Sequence, residues 1–195
     1  MSVIRAFIAI ELSTEIQQAL EQVSNQLKGQ LGRVPVRWVP VKNIHLTLKF
    51  LGDVSLANLE VLEGILLAEA ARCAPFEISI SKLGAFPSTR RPRVIWVGVE
   101  APAELGQFQR ALDEATARLG YPPEERGFSP HLTLGRISRN ASNDDVRRIG
   151  QSLEGTNVGL LGAMQVQNVD LYRSDLQPTG AVYTCLYSAN FKVER

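Results

Sequence analysis

Apolar and polar positions alternate at the start of the chain. Ile4, Ala6, Ile8, Ile10 and Leu12 fall on one side, and Arg5, Phe7, Ala9 and Glu11 on the other. Period two predicts a half-buried strand over Val3 to Leu12. Ser13 or Thr14 then caps a helix to about Leu31, with Thr14 and Gln17 at capping-box spacing. A Pro/Val loop leads to a strand over Ile44 to Leu51. Ser55 to Arg72 returns to the helical period, apolar at Leu59, Leu62, Leu66 and Ala70, and Phe76 to Phe86 is strand.

The same order follows again. Arg93 to Val99 reads as a strand, Pro102 opens a helix to about Leu119, and His131 to Ile137 is a strand. Ser142 with Asp145 caps a shorter helix to Leu153, and strands over about Met164 to Arg173 and Ala181 to Lys192 close the chain. A β-α-β-α-β unit thus occurs twice, over approximately 3–86 and 93–192. Alternation within the strands favours sheets covered on one face, because strands of a doubly wound sheet are apolar on both. The expected fold class is α+β: one two-lobed domain over 1–195, its antiparallel or mixed sheets facing each other across a central cleft with helices outside.

Composition narrows the chemistry. With 195 residues and 45% hydrophobic content the chain can bury a core. Cys73 and Cys185 form no C-x-x-C pair and read as two incidental thiols in a reducing compartment. Two histidines cannot build a three-histidine zinc site. Val3 to Ile10 is interrupted by Arg5, so it resembles neither a signal peptide nor a membrane span. A cytoplasmic monomer with no membrane partner and no cofactor is expected.

The net charge of +1 hides a segregation. Three stretches, Gln22 to Gly52, Ile78 to Val99 and Arg126 to Asn143, hold 12 of the 21 basic residues and none of the 20 acidic ones. Strands are poor in Asp and Glu, but that does not explain why these keep their arginines. A local site for an anion of modest size does.

Both histidines lie in those stretches, in identical tetrapeptides: His45-Leu46-Thr47-Leu48 and His131-Leu132-Thr133-Leu134. On a strand, His and Thr project from one face and the leucines from the other. Each His-x-Thr pair therefore belongs on the open face of its lobe, and a pseudo-twofold would bring the four polar side chains together. Two imidazoles with ordinary pKa values near 6.5 can divide acid and base work at neutral pH. In-line displacement at phosphorus needs a base and an acid on opposite sides, and each threonine hydroxyl can donate to a non-bridging oxygen. The pattern predicts phosphodiester chemistry without a metal.

With these motifs the chain resembles the two-histidine phosphoesterase superfamily, in particular the RNA 2′,3′-cyclic phosphodiesterases also called 2′-5′ RNA ligases. The likeness runs from Arg5-Ala6-Phe7-Ile8-Ala9-Ile10 through His45-Leu46-Thr47-Leu48-Lys49-Phe50-Leu51-Gly52. It continues through Gly84-Ala85-Phe86-Pro87, Arg93-Val94-Ile95-Trp96-Val97-Gly98 and Pro130-His131-Leu132-Thr133-Leu134-Gly135-Arg136 to Leu171-Tyr172-Arg173-Ser174, Gly180 and Tyr183. The resemblance implies a bilobal, cofactor-free enzyme that opens a ribose 2′,3′-cyclic phosphate to a 2′-phosphate. It also implies possible joining of tRNA halves through a 2′-5′ bond. By this analogy His45 is the acid protonating the departing O3′ and His131 the base activating water, in a twofold site that allows the roles to be exchanged. A non-catalytic module that binds RNA ends is the competing reading.

Arg136 matches the family arginine that contacts phosphate. Strict alternation would put it on the leucine face, so the contact needs a twist or bulge, which Gly135 could permit; a surface arginine at a strand end is the alternative. Phe50 occupies the corresponding place in the first motif. Lys49, by parity on the histidine face, is a candidate second cation or a solvated strand-end lysine. Phe7, opposite the apolar stripe, is a candidate for stacking on a base or ribose, or else packs at the core edge. Trp38 and Trp96 read as packing residues. Arg90, Arg91 and Arg93 read as a mobile basic loop able to hold RNA, or as a solvated turn.

Overall fold

A computed structural model describes residues 2–124, 127–178 and 180–192. Arg126, counted above among the basic residues, lies outside them. Nine strands and four helices are described: β1 (Val3–Ile10), α1 (Thr14–Leu31), β2 (Val36–Trp38), β3 (Leu46–Ser55), α2 (Leu59–Ala70), β4 (Phe76–Phe86) and β5 (Val94–Glu100). They continue with α3 (Ala103–Ala117), β6 (His131–Ile137), α4 (Asn143–Gly155), β7 (Leu160–Val166), β8 (Asn168–Gln177) and β9 (Gly180–Asn190).

The strands form two antiparallel sheets, ordered β3-β1-β8-β9 and β2-β6-β5-β4-β7. Helices α2 and α3 pack on the first sheet, α1 and α4 on the second. The two halves of the chain are interleaved: β4 of the first half pairs with β5, and β8 of the second pairs with β1. Each lobe is thus completed by two strands from the other half, β8 and β9 in the first and β2 and β4 in the second, and a single apolar cluster runs through both.

Two strands depart from the pattern reading. The Pro/Val loop contains β2, too short for a period to register, which extends the second sheet at β6. The stretch over 164–173 is two strands, β7 and β8, which belong to different sheets. The N-terminus of α1 differs as well. Ser13 caps it, accepting from the Ile16 amide at 3.4 Å, while Gln17 donates to the Leu12 carbonyl, so no Thr14–Gln17 box forms. On α4 the Ser142–Asp145 capping box is present as expected. Gly32, at φ 58°, ends α1 in a conformation that glycine adopts at little cost.

Candidate active site

The two motif strands carry the same irregularity at the same residue. Ile8 pairs with Lys49 and Ala9 with Thr47, which leaves Leu48 unopposed. Ile95 pairs with Gly135 and Trp96 with Thr133, which leaves Leu134 unopposed. The fourth residue of each tetrapeptide is therefore a β-bulge, and a bulge reverses the parity of everything after it. In both strands the next residue turns toward the helices and the one after it faces the cleft.

This settles three side chains. Arg136 projects from the open face, opposite Val94 and Arg37, as a phosphate contact requires. Lys49 is turned inward, contrary to the parity expectation. It is 1% exposed, its ammonium lies 2.7 Å from the Asp113 carboxylate of α3, and it donates to the Pro122 carbonyl. Gln109 of the same helix donates to the carbonyl of the bulged Leu48 at 3.4 Å and to Asp113 at 2.7 Å. In the second motif Gly135 takes the inward position because β2 fills the space. A Cβ there would lie 2.9 Å from Val36 and 3.2 Å from Trp38.

The third is Phe50, the counterpart of Arg136, which is 57% exposed with its ring 6.3 Å from that of Phe7. Sequence reasoning offered Phe7 as a stacking ring or as packing at the core edge, and its burial fits the second. Phe7 is 3% exposed, with His45 stacked on it at 4.6 Å between ring centroids and Tyr172 stacked at 5.3 Å. Stacking by these neighbours and burial leave its ring unavailable to a base, so it acts as a floor beneath His45. The signal that could have found Phe50 is its shared offset with Arg136, five residues after the histidine.

His45 stands just before β3 and His131 opens β6, and these strands of the two sheets approach within 8 Å, Cα to Cα. Each imidazole is hydrogen-bonded to a backbone carbonyl two residues upstream, His45 to Asn43 and His131 Nδ1 to Ser129 at 2.8 Å. In a neutral imidazole whose Nδ1–H donates in this way, Nε2 carries the lone pair. Aromatic rings support both. Tyr183 of β9 meets His45 edge-on at 5.2 Å. Phe86 meets His131 edge-on at 4.9 Å and packs on Trp96, whose ring occupies the space above Gly84. Trp96 is a packing residue as expected, but on the cleft face behind the second histidine.

The histidine surroundings are electrostatically unusual. Burial against Phe7 and Tyr183 lowers the His45 pKa from 6.5 to about 4, the Asn43 carbonyl partly opposing this. Burial pushes the Tyr183 phenol upward while the Arg136 and Arg5 charges pull it down. Burial and the Asp170 carboxylate push Tyr172 upward. Thr47 and Thr133 are half-buried on the histidine faces of their strands, and Leu46, Leu48, Leu132 and Leu134 are buried beneath. Of the basic loop, Arg90 and Arg91 are exposed. The loop is tied down rather than free: Thr89 donates to Glu154 of α4 at 2.7 Å, and its carbonyl sits so close to Gly150 that a Cβ there would clash.

A model of LigT-like phosphoesterases matches the chain twice, over residues 10–96 and 97–183. The chain belongs to this family. It is 36% identical over 181 residues to the RNA 2′,3′-cyclic phosphodiesterase of Methanothermobacter thermautotrophicus, covering 93% of this chain and 95% of that one. The Aquifex aeolicus protein of the same name is 30% identical over 94% of this chain and 95% of its own. Among solved structures, TT0787 of Thermus thermophilus superposes with a TM-score of 0.81 at 27% identity, covering 98% of this chain and all of the other. Escherichia coli LigT in complex with 3′-AMP does so with 0.76, at the same identity and coverage. As a LigT-like phosphoesterase, the chain has its two motif histidines at the facing strands of two interleaved lobes. No helix among the described residues is long and apolar enough to cross a membrane.

Proposed function

We propose that this phosphoesterase hydrolyses the 2′,3′-cyclic phosphate at an RNA 3′ end to a 2′-phosphate, with His45 and His131 as the acid–base pair. The observation that carries the reading is the duplicated bulge. Two independent strands spend an irregularity at the same residue of His-x-Thr-x, and in each the residue five after the histidine then faces the cleft. The relatives named for this activity support the choice of substrate.

In this reaction water attacks phosphorus in line with O3′ and gives its proton to Nε2 of His131. The P–O3′ bond breaks, and O3′ receives a proton from His45. Thr47 and Thr133 hydroxyls donate to the non-bridging oxygens, and Arg136 offsets the charge that gathers there. Phe50 offers its exposed face to the terminal nucleoside. Before substrate enters, burial favours the neutral form of His45, which at first sight suits a base better than an acid. A phosphate anion entering beside the imidazole favours its charged form, so His45 takes up its proton together with the substrate. With the 5′-hydroxyl of a second strand attacking phosphorus in place of water, its proton passing to His131 and O3′ leaving with the proton of His45 as before, the same site joins RNA ends through a 2′-5′ bond. Water at ~55 M favours hydrolysis unless an acceptor strand is held in the cleft.

Activity should persist in EDTA. His45→Ala and His131→Ala should each lose on the order of 100-fold to 10,000-fold in rate while remaining folded. Binding of a nucleoside 2′,3′-cyclic phosphate with no turnover at high enzyme concentration would instead make the chain an RNA-end binding module. Ligation and hydrolysis are separated by following tRNA halves to both products in one reaction.

A further inference from the structure

A basic groove adjoins the histidine cleft on the second sheet. Arg37, Arg93, Arg136 and Arg139, with Ser138, line about 810 Å³ of open space. Arg37 and Arg136 are direct cross-strand partners on β2 and β6. Val36 and Trp38 turn toward the space above Gly135, so both guanidiniums leave the sheet on the other face. Like charges placed directly opposite destabilise a strand pair. No carboxylate among the described residues lies within ion-pair distance of any of the four. An unneutralised cluster of this kind, in a chain whose acids nearly equal its bases, calls for an anion. Arg136 also faces the cleft, so the groove starts beside the reacting phosphate and leads away past the end of β6 toward Arg139.

We infer that this groove holds the phosphodiester backbone of the RNA strand on the 5′ side of the terminal cyclic phosphate, with Arg37, Arg93 and Arg139 as its contacts. The inference rests on the cyclic phosphodiesterase reading. A 2′,3′-cyclic phosphate ends its strand, so every other phosphate of the strand being hydrolysed lies on the 5′ side, and in hydrolysis a track of cations leaving the cleft has only that direction to serve. The four guanidiniums line about 810 Å³, with Arg139 in the turn just beyond β6, which is room for successive phosphates rather than for one compact anion. Guanidiniums grip phosphate oxygens without reading bases, so the track favours oligonucleotides over mononucleotides with little dependence on sequence.

The test compares a nucleoside 2′,3′-cyclic phosphate with a pentaribonucleotide ending in the same group. The proteins are wild type, the triple variant Arg37→Gln/Arg93→Gln/Arg139→Gln, and its triple-lysine counterpart. The glutamine variant should lose roughly 10-fold in kcat/KM on the pentanucleotide, as expected for three partly exposed phosphate contacts, and less than 2-fold on the mononucleotide. Its log–log salt slope on the pentanucleotide should be shallower by about 2, at roughly 0.7 per phosphate for single strands. The lysine variant should keep most of the slope. Equal losses on both substrates, or an unchanged pentanucleotide slope, would overturn the inference. If wild type turns over neither substrate, the phosphodiesterase reading fails by itself. Fluorescence anisotropy of a labelled pentanucleotide 3′-phosphate then tests the groove, which stands if the glutamine variant binds at least 5-fold more weakly and falls if it does not.

Discussion

Replacing Phe7 probes how the fold sets the protonation of His45. The imidazole is covered by the Phe7 ring on one face and by the Tyr183 edge on another, and its pKa falls from 6.5 to about 4. At about 1.4 kcal/mol per unit, that displacement corresponds to roughly 3 kcal/mol of preference for the neutral ring. Phe7→Ala removes one of the two apolar covers and admits water, so the pKa should rise by roughly one unit. Phe7→Leu keeps an apolar cover and should leave it close to 4. NMR titration of the His45 Cε1 proton reads both values directly. The cost to stability, about 3–5 kcal/mol for Phe→Ala in a core, is followed by thermal melts so that only folded protein is titrated. An unchanged His45 pKa in Phe7→Ala would refute burial as the cause. An equal rise in the leucine variant would assign the effect to ring stacking instead.

The neutral His45 also links stability to pH. Its folded-state pKa lies below the unfolded value, so between about pH 6.5 and 4 the unfolded chain binds more protons than the folded one. The associated stability is complete above pH 6.5 and is lost as pH falls to about 4. Denaturant melts should therefore show wild type losing up to about 3 kcal/mol more than His45→Gln across that interval. Asp113→Ala strands the buried Lys49 ammonium and should cost about 3–5 kcal/mol in the same melts, whereas replacing both partners by Lys49→Met/Asp113→Leu should recover most of it. Gly150→Ala drives a methyl into the Thr89 carbonyl and should lower stability by about 1–3 kcal/mol. Phe50→Ala should raise KM for a cyclic nucleotide several-fold with kcat little changed, since stacking on a base contributes about 1–3 kcal/mol to binding; an unaltered KM would remove Phe50 from the site.

Much of the fold lay in the alternation of apolar positions, because strands such as β4 and helices such as α1 bury one face and leave the other wet. The site was legible for a different reason: two identical tetrapeptides in matching places need no knowledge of contacts. What pattern could not supply was local geometry. A bulge marks a hydrophobic period only as a one-residue phase shift, here Leu48 to Leu51 and Leu134 to Ile137. With Lys49 itself at the first inward position after it, strict alternation placed Lys49 in the cleft when it is buried against Asp113. Arg136 was placed correctly only on the condition of a bulge, and the bulge falls at Leu134. Phe7 was left between stacking and packing because parity reports which face a ring leaves from, not what already covers it. The interleaving of β4 and β8 was invisible for a related reason: strand order within a sheet depends on pairing between distant segments, and each strand's own pattern is satisfied in either lobe.

The central claim is that both histidines act on one cyclic phosphate. The most direct test is a 31P NMR time course of a nucleoside 2′,3′-cyclic phosphate in EDTA with wild type, His45→Ala and His131→Ala. The account predicts a single new resonance, that of the 2′-monophosphate, from wild type and next to none from either variant. A 3′-monophosphate product, or near-wild-type turnover by either variant, would contradict it.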